Sequence, residues 1–297
     1  MILPFAPRTA RLAVLAAGLL LAAGGRHRPV VAAVDQQFST RTDLVEVYAT
    51  VTDRKGRLVT DLTQQDFIVR EEGQPQEVTT FAAGDQPVAL ALAVDRSWSM
   101  AGEPLAAAQR AGRDLLLELG DQDRVMLVAI GSDVDVPAPL TNNRRAVDTA
   151  LQALDAWGST ALHDAVVTAF DAIEPAPGRR ALVLVSDGLE RNSTRTDEQV
   201  LQRVRASDVL AYPVVLQRKV PDVLEQLAAA TGGRAQRVRR LRDLPSALRR
   251  IASELRHQYL LGYQPTSTPK PGEYRRLTVQ VRRPGYSVRA RVGYLAR

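Results

Sequence analysis

The chain has 297 residues, of which 45% are hydrophobic and 24% are charged, as is typical of a globular protein with a substantial core. It contains no cysteine, which excludes disulfide bridges, thiolate metal ligands and a cysteine nucleophile. The formal net charge of +6 favours an anionic partner only if the basic residues lie together in the mature protein.

Residues 1–33 have the pattern of a secretory signal peptide. Arg8 and Arg11 precede an apolar run of about 12 residues, and Val31-Ala32-Ala33 forms a small-residue cleavage site. Because this run is short for a membrane span, we expect cleavage, with an uncleaved N-terminal anchor as the alternative. No later stretch is apolar enough to span. We therefore expect export to the periplasm, the cell surface or the medium, with 35 basic and 33 acidic residues left, a nearly neutral balance.

Short segments near both ends of the mature chain alternate apolar and polar residues, as half-buried β-strands do. They are residues 44–51, 67–71 and 77–81 on the N-terminal side and residues 258–262, 274–282 and 286–294 on the C-terminal side. Neither group has enough strands to bury a sheet face by itself. We therefore predict that segments 34–86 and 257–297 pair into one small β-sandwich.

Residues 87–256 alternate short apolar runs with amphipathic helical stretches. The apolar runs, which predict strands buried on both faces, are residues 88–94, 124–130, 181–185 and 209–216. The helical stretches are residues 103–119, 144–154, 160–173, 196–206, 220–230 and 243–256. This alternation predicts an α/β domain with a doubly wound, mostly parallel, Rossmann-like sheet flanked by helices. Ligands of such sheets bind at the carboxyl ends of the strands.

Oxygen-bearing side chains stand at several of these strand ends. Asp95, Ser97 and Ser99 follow the first buried strand, Thr160 begins a predicted helix, and Asp187 follows the strand that starts at 181. Because the carboxyl ends of parallel strands meet at one edge of the sheet, we expect the two carboxylates and three hydroxyls to converge. Hard oxygen ligands without soft ones suit Mg²⁺ or, less selectively, Mn²⁺ or Ca²⁺.

This Asp-x-Ser-x-Ser pattern with the later Thr and Asp resembles the metal-ion-dependent adhesion site of the von Willebrand factor type A domain family, as in integrin inserted domains. The resemblance implies that Ser97, Ser99 and Thr160 ligate the metal through their hydroxyls, and that Asp95 and Asp187 act directly or through water. It also implies an open metal position that accepts the Asp or Glu carboxylate of a partner protein.

The similarity extends over about residues 40–295, to a group of exported bacterial proteins with type A domains. The matching flanks are residues 51–67 before the domain and residues 259–286 after it. One departure is Trp98, which stands where the family usually has glycine. An indole at this position either contacts a partner beside the metal or packs locally, and the sequence leaves both roles open.

A hydrolase is an alternative function on the same fold. It would use Ser97 or Ser99 as nucleophile, His163 as base and Asp187 as the orienting acid, but the sequence has no Gly-x-Ser-x-Gly elbow. A phosphatase of the Asp-x-Asp type would need a second carboxylate at Ser97. We therefore expect no catalytic activity, and binding is the family's usual use of the site.

The C-terminal part of the chain is strongly basic, since residues 232–297 carry 16 basic and only 3 acidic side chains. An anionic envelope polymer bound by this segment is therefore a second alternative. We expect six of these arginines to lie on solvated outer faces of strands: Arg275, Arg276, Arg282, Arg283, Arg289 and Arg291. No nucleic-acid-binding module is recognisable, so a nucleic acid partner is not expected.

Overall fold

The computed structural model describes residues 44–296, and the predicted signal peptide at residues 1–33 lies outside the described residues. The helices are α1 (Glu103–Glu118), α2 (Arg144–Gln152), α3 (Leu162–Ile173), α4 (Asp197–Arg205), α5 (Asp222–Thr231) and α6 (Leu244–Arg256). No helix in the described part of the chain combines the length and the apolar character that a membrane crossing needs.

Fourteen strands lie in the same part of the chain. They are β1 (Val45–Thr52), β2 (Phe67–Glu71), β3 (Gln74–Gln76), β4 (Val78–Ala82), β5 (Val88–Asp95), β6 (Arg124–Ile130), β7 (Val134–Thr141), β8 (Arg179–Ser186), β9 (Leu210–Leu216), β10 (Gln236–Val238), β11 (Tyr259–Tyr263), β12 (Tyr274–Val281), β13 (Ser287–Arg289) and β14 (Gly293–Leu295).

The central sheet has the strand order β10-β9-β8-β5-β6-β7. All neighbouring pairs are parallel except β6 and β7. Every residue of β5 is buried, because α1, α2 and α6 cover one face of the sheet and α3, α4 and α5 cover the other. The predicted doubly wound, mostly parallel sheet flanked by helices is therefore confirmed.

Both outermost strands of this sheet were missed by the sequence analysis. β7 carries Pro137 and Pro139 and buries only Ala138, so it has no apolar run that would predict a strand. Proline has no N–H for a ladder bond and is tolerated in a strand at a sheet edge. β10 has three residues, of which only Val238 is buried. Edge strands of this kind lack the buried character that predicts the inner strands.

Two four-stranded antiparallel sheets combine strands from the two ends of the chain, with the orders β13-β1-β11-β4 and β14-β12-β2-β3. β1 pairs with β11, with Val47 opposite Leu261, and β2 pairs with β12, with Val69 opposite Val279. The two sheets share one apolar core. The sequence predicts this pairing of the N- and C-terminal segments, while the domain boundaries proposed above stay predictions.

A buried carboxylate joins the helical layer to these antiparallel strands. Glu254 of α6 accepts hydrogen bonds from the hydroxyls of Tyr212 in β9 (2.7 Å) and Thr50 in β1 (3.3 Å). Its third partner is the guanidinium of Arg289 in β13. Such a satisfied polar network fixes which surfaces of α6 and β1 meet.

The prediction that the C-terminal arginines are solvated is wrong for Arg275 and Arg291. The Arg275 side chain is 13% exposed and is paired with the fully buried Glu71 at 2.7 Å. Arg291 lies over the ring of Tyr294, and its Nε is buried. The other four are engaged as well, by carboxylates or carbonyls: Arg276 by Glu72, Arg282 by the Gln65 carbonyl, Arg283 by Asp66 and Arg289 by Glu254.

Candidate metal site

Asp95 is the last residue of β5, and its side chain is fully buried at the carboxyl edge of the central sheet. Its Oδ1 accepts the Ser97 backbone N–H at 2.9 Å, and its Oδ2 accepts the Ser186 hydroxyl at 2.6 Å. The hydroxyl oxygens of Ser97 and Ser99 lie 3.1 Å apart. The loop after β5 therefore folds so that three of the five predicted ligand residues lie together.

Burial raises the pKa of Asp95, although hydrogen bonds from Ser186 and Ser97 lower it, and the negative charge of Asp187 adds to the rise. No lysine or arginine among residues 44–296 forms an ion pair with Asp95. A buried carboxylate without a cationic partner is costly unless the charge is compensated. A cation bound at this point would stabilise the charged form of Asp95.

Asp187 directly follows β8 and is 7% exposed. Its Oδ1 accepts the Leu189 backbone N–H at 3.1 Å, and its Oδ2 lies 3.4 Å from Nε of Arg218. The turn needs Gly188, whose φ is +80° and where a Cβ would come within 3.0 Å of Val215. Asp187 and Ser99 both line a cavity of about 210 Å³ at this edge.

Thr160 is 1% exposed and lies just before α3, which begins at Leu162 and not at Thr160 as predicted. Two backbone hydrogen bonds hold its segment against the loop after β5: Trp98 N–H to Gly158 O (3.0 Å) and Trp157 N–H to Arg96 O (2.7 Å). Within residues 44–296, no group forms a hydrogen bond with the Thr160 hydroxyl. The Thr160 carbonyl accepts the backbone N–H groups of Arg191 and Asn192 at 3.0 Å each, so its segment lies against the loop after β8 as well.

Two exposed tryptophans stand on these loops. Trp98 is 65% exposed, so the local-packing role is wrong, and the partner contact stays a prediction. Trp157 is 43% exposed, and the guanidinium of Arg96 lies 5.4 Å from its ring centre. Arg96 in turn pairs with Asp135 at 2.7 Å. Partly exposed tryptophan and arginine are the residues that most often dominate protein interfaces.

His163 has partners other than Ser97 and Ser99. It is 5% exposed, with Nδ1 3.1 Å from the Arg195 carbonyl and Nε2 3.3 Å from the Asp197 carboxylate. Arg195 lies in the loop between β8 and α4, and Asp197 is the first residue of α4. Within residues 44–296, neither ring nitrogen forms a hydrogen bond with Ser97 or Ser99.

Three residues that support the site were missed by the sequence analysis. Ser186 donates to Asp95, Arg218 pairs with Asp187, and Glu190 accepts the backbone N–H of His163 at the start of α3 (2.9 Å). A serine directly before the Asp-Gly turn was a local signal for Ser186. Arg218 has no such signal, because its contact depends on β9 lying beside β8.

The donor set fits a hard divalent cation, since the five residues offer two carboxylates and three hydroxyls. The described residues contain no group of three or more His, Asp or Glu side chains arranged to hold a metal. The predicted set is of a different kind, because most of its members are neutral. The five ligands stay a prediction.

Residues 90–190 match the family model of the von Willebrand factor type A domain. The solved von Willebrand factor type A protein from Catenulispora acidiphila is 14% identical, with a TM-score of 0.54, and the match covers 86% of this chain and 75% of that one. Proximal thread matrix protein 1 from the mussel byssus is 12% identical, with a TM-score of 0.54, covering 63% of this chain and 51% of that one. These likenesses show the fold. No curated protein sequence matches the chain.

Proposed function

We propose, on the premise that residues 90–190 match the family model of the von Willebrand factor type A domain, that the chain binds one divalent cation at the carboxyl edge of its central sheet in order to capture a partner protein. The partner contributes an Asp or Glu carboxylate to the cation. The proposed metal ligands are Asp95, Ser97, Ser99, Thr160 and Asp187.

The observation that carries this proposal is the unpaired, buried carboxylate of Asp95 beside two hydroxyls that lie 3.1 Å apart. Mg²⁺ is the expected ion, with Mn²⁺ or Ca²⁺ as alternatives, because all donors are hard oxygens. A bound cation with few charged ligands would remain electrophilic and could accept a further carboxylate.

We propose binding without turnover. The contacts of both His163 nitrogens with Arg195 and Asp197 support this choice over the hydrolase. The arginines of residues 275–291 do not support the anionic-polymer alternative, because they are engaged by groups of the chain itself. Export to the periplasm, the cell surface or the medium stays part of the proposal.

A serine substitution tests the metal site. Ser99→Ala removes one neutral ligand without disturbing the core, so we expect the affinity for Mg²⁺ and Mn²⁺, measured by calorimetric titration, to fall roughly tenfold or more. Ser253→Ala, at an exposed position of α6, is the matched control and should titrate like the wild type. Equal titrations of wild type and Ser99→Ala would refute the ligand set.

Partner capture is tested with the immobilised chain and an envelope extract. A protein held through the metal should elute with chelator and be retained when Mg²⁺ is present. A partner held only by surface charge would instead be released by salt, because exposed charges are screened. A partner that stays bound after chelator is added would contradict the proposal.

A further inference from the structure

The carboxyl edge of the central sheet continues past the proposed metal site. β9 and β10 follow β8 in the strand order and end level with one another, since Leu216 pairs with Val238. The residues that leave these two strands, Gln217-Arg218 and Arg239-Arg240, therefore stand side by side at the same edge as Asp187.

These two loops are fixed to each other. Gln217 has a φ of +62°, a left-handed backbone that is uncommon for a residue other than glycine. Its N–H donates to the Val238 carbonyl at 2.7 Å, and its carbonyl accepts from the Arg237 guanidinium at 2.6 Å. The loop after β9 is thus tied to β10, and it carries Arg218, which is 57% exposed and whose Nε lies 3.4 Å from Asp187.

The cations beyond Arg218 are free. The side chains of Arg239, Arg240 and Arg242 are exposed and form no hydrogen bond or ion pair with any residue in the described part of the chain. Asp243 is the acidic residue of this stretch, and Lys219 is neutralised by Asp222. A surplus of positive charge thus lies along the ends of β9 and β10.

The opposite end of the same edge carries a negative charge without an ionic partner among the described residues. The turn between β6 and β7 holds the exposed carboxylate of Asp133, while Asp135, in β7, is neutralised by Arg96. Between the metal site and the free arginines lies the cavity of about 210 Å³, lined by Asp187, Leu216 and Arg218 among others. An acidic chain that starts at the metal is therefore attracted toward β10 and repelled from β7.

We propose that the partner presents an extended acidic segment, with one carboxylate for the cation and further carboxylates for Arg218, Arg239 and Arg240. This inference rests on the function proposed above and specifies its partner. Adjacent strands are about 4.8 Å apart, so β10 lies about 10 Å from β8. An extended chain covers that distance in about three residues. The segment therefore repeats its acidic residues within about three positions.

Fluorescence anisotropy with two labelled hexapeptides tests this proposal. One probe is hexa-aspartate, and the other is a Gly/Ser hexapeptide with a single aspartate. At low salt with Mg²⁺, Arg239→Ser/Arg240→Ser should weaken hexa-aspartate binding about three- to tenfold, as expected for exposed ion pairs. The same variant should bind the single-aspartate probe within twofold of the wild type.

A matched variant controls for net charge. Arg145 and Arg205 are exposed, form no side-chain hydrogen bond or ion pair with a described residue, and lie at the start of α2 and the end of α4, near the amino ends of the parallel strands. Arg145→Ser/Arg205→Ser removes the same two charges there. We expect both probes to bind this variant within twofold of the wild type.

The proposal is overturned if both double variants weaken hexa-aspartate binding equally. Polyphosphate gives a second test. The proposal is also overturned if polyphosphate binds as tightly as hexa-aspartate, if Arg239→Ser/Arg240→Ser weakens both ligands by the same factor, and if chelator does not change polyphosphate binding. That combination defines a surface for anionic polymers. Failure of the underlying function has another signature. In that case the single-aspartate probe shows no Mg²⁺ dependence and Asp95→Ala binds hexa-aspartate normally.

Discussion

The C-terminal third of the chain holds two groups of arginines that differ in whether the chain itself binds them. Those of β12, β13 and the loops beside them are engaged by carboxylates, carbonyls or an aromatic ring of the chain itself, and Arg275 is nearly buried. Those that follow β10, Arg239, Arg240 and Arg242, are exposed and unpaired within the described residues. A basic composition therefore correctly predicts free positive charge only for the second group. The two groups differ because the strands beside the first group carry carboxylates and carbonyls that bind its arginines.

Four of the six arginines in the first group, those of residues 275–283, have partners from the N-terminal segment of the chain. Glu71 and Glu72, at the end of β2, meet Arg275 and Arg276 because β2 pairs with β12. About two hundred residues separate the two charges of each pair. The local composition of the C-terminal segment therefore shows an excess of arginine, although these arginines are paired with carboxylates in the folded protein.

Removing the buried acid should have the largest effect. Glu71 is fully buried and accepts from Arg275 at 2.7 Å, from the Tyr263 hydroxyl at 2.5 Å and from the Tyr294 hydroxyl at 3.1 Å. Glu71→Ala leaves these donors without their acceptor, so we expect the free energy of unfolding in urea to fall by about 3–5 kcal/mol.

The neighbouring residue is the control for this prediction. Glu72 pairs with Arg276, whose side chain is 78% exposed, and solvent weakens such a pair. Glu72→Ala should cost less than about 1 kcal/mol. If the two alanine variants lose similar stability, the contrast between buried and exposed pairs is wrong.

A smaller effect is expected at alkaline pH. Burial, with the nearby charge of Glu71, raises the pKa of Tyr294 to about 12 from its ordinary value of 10.0. Since the unfolded chain ionises first, the stability contributed by this shift is complete below pH 10 and is lost as the pH rises toward 12. Tyr294→Phe should have a weaker pH dependence of urea unfolding across this window. An unchanged slope would contradict the assigned shift.

The free arginines should have the smallest effect on stability. Arg239→Ser/Arg240→Ser removes no side-chain hydrogen bond or ion pair with a described residue, so its free energy of unfolding should stay within about 0.5 kcal/mol of the wild type. A larger loss in the same urea experiment would mean that these side chains support the fold and are not free for a partner.

Much of the fold was predictable because the inner strands are continuous apolar runs. The buried run of β5 and the helical periodicity of α1 and α6 predict their place to within a few residues. β7 and β10 have no apolar run, since an edge strand buries little, and this is why they were missed.

The candidate site likewise has a part that the sequence predicts and a part that it does not. Asp95, Ser97 and Ser99 lie within one loop, so their proximity follows from local sequence. The contact of Arg218 with Asp187 depends on the order of β8 and β9, which the sequence pattern does not contain. The metal ligands themselves remain a prediction.

The proline-bearing edge strand has a consequence for how partners are recognised. Proteins often capture a peptide by letting it join a sheet as an extra strand, through its main-chain hydrogen bonds. Pro137 and Pro139 remove donors from β7, and β10 is only three residues long, so neither side of the central sheet offers a template for such augmentation. The same features protect the sheet against edge-to-edge aggregation. On the proposed function, a partner would therefore be selected by side chains at the strand ends and not by backbone pairing.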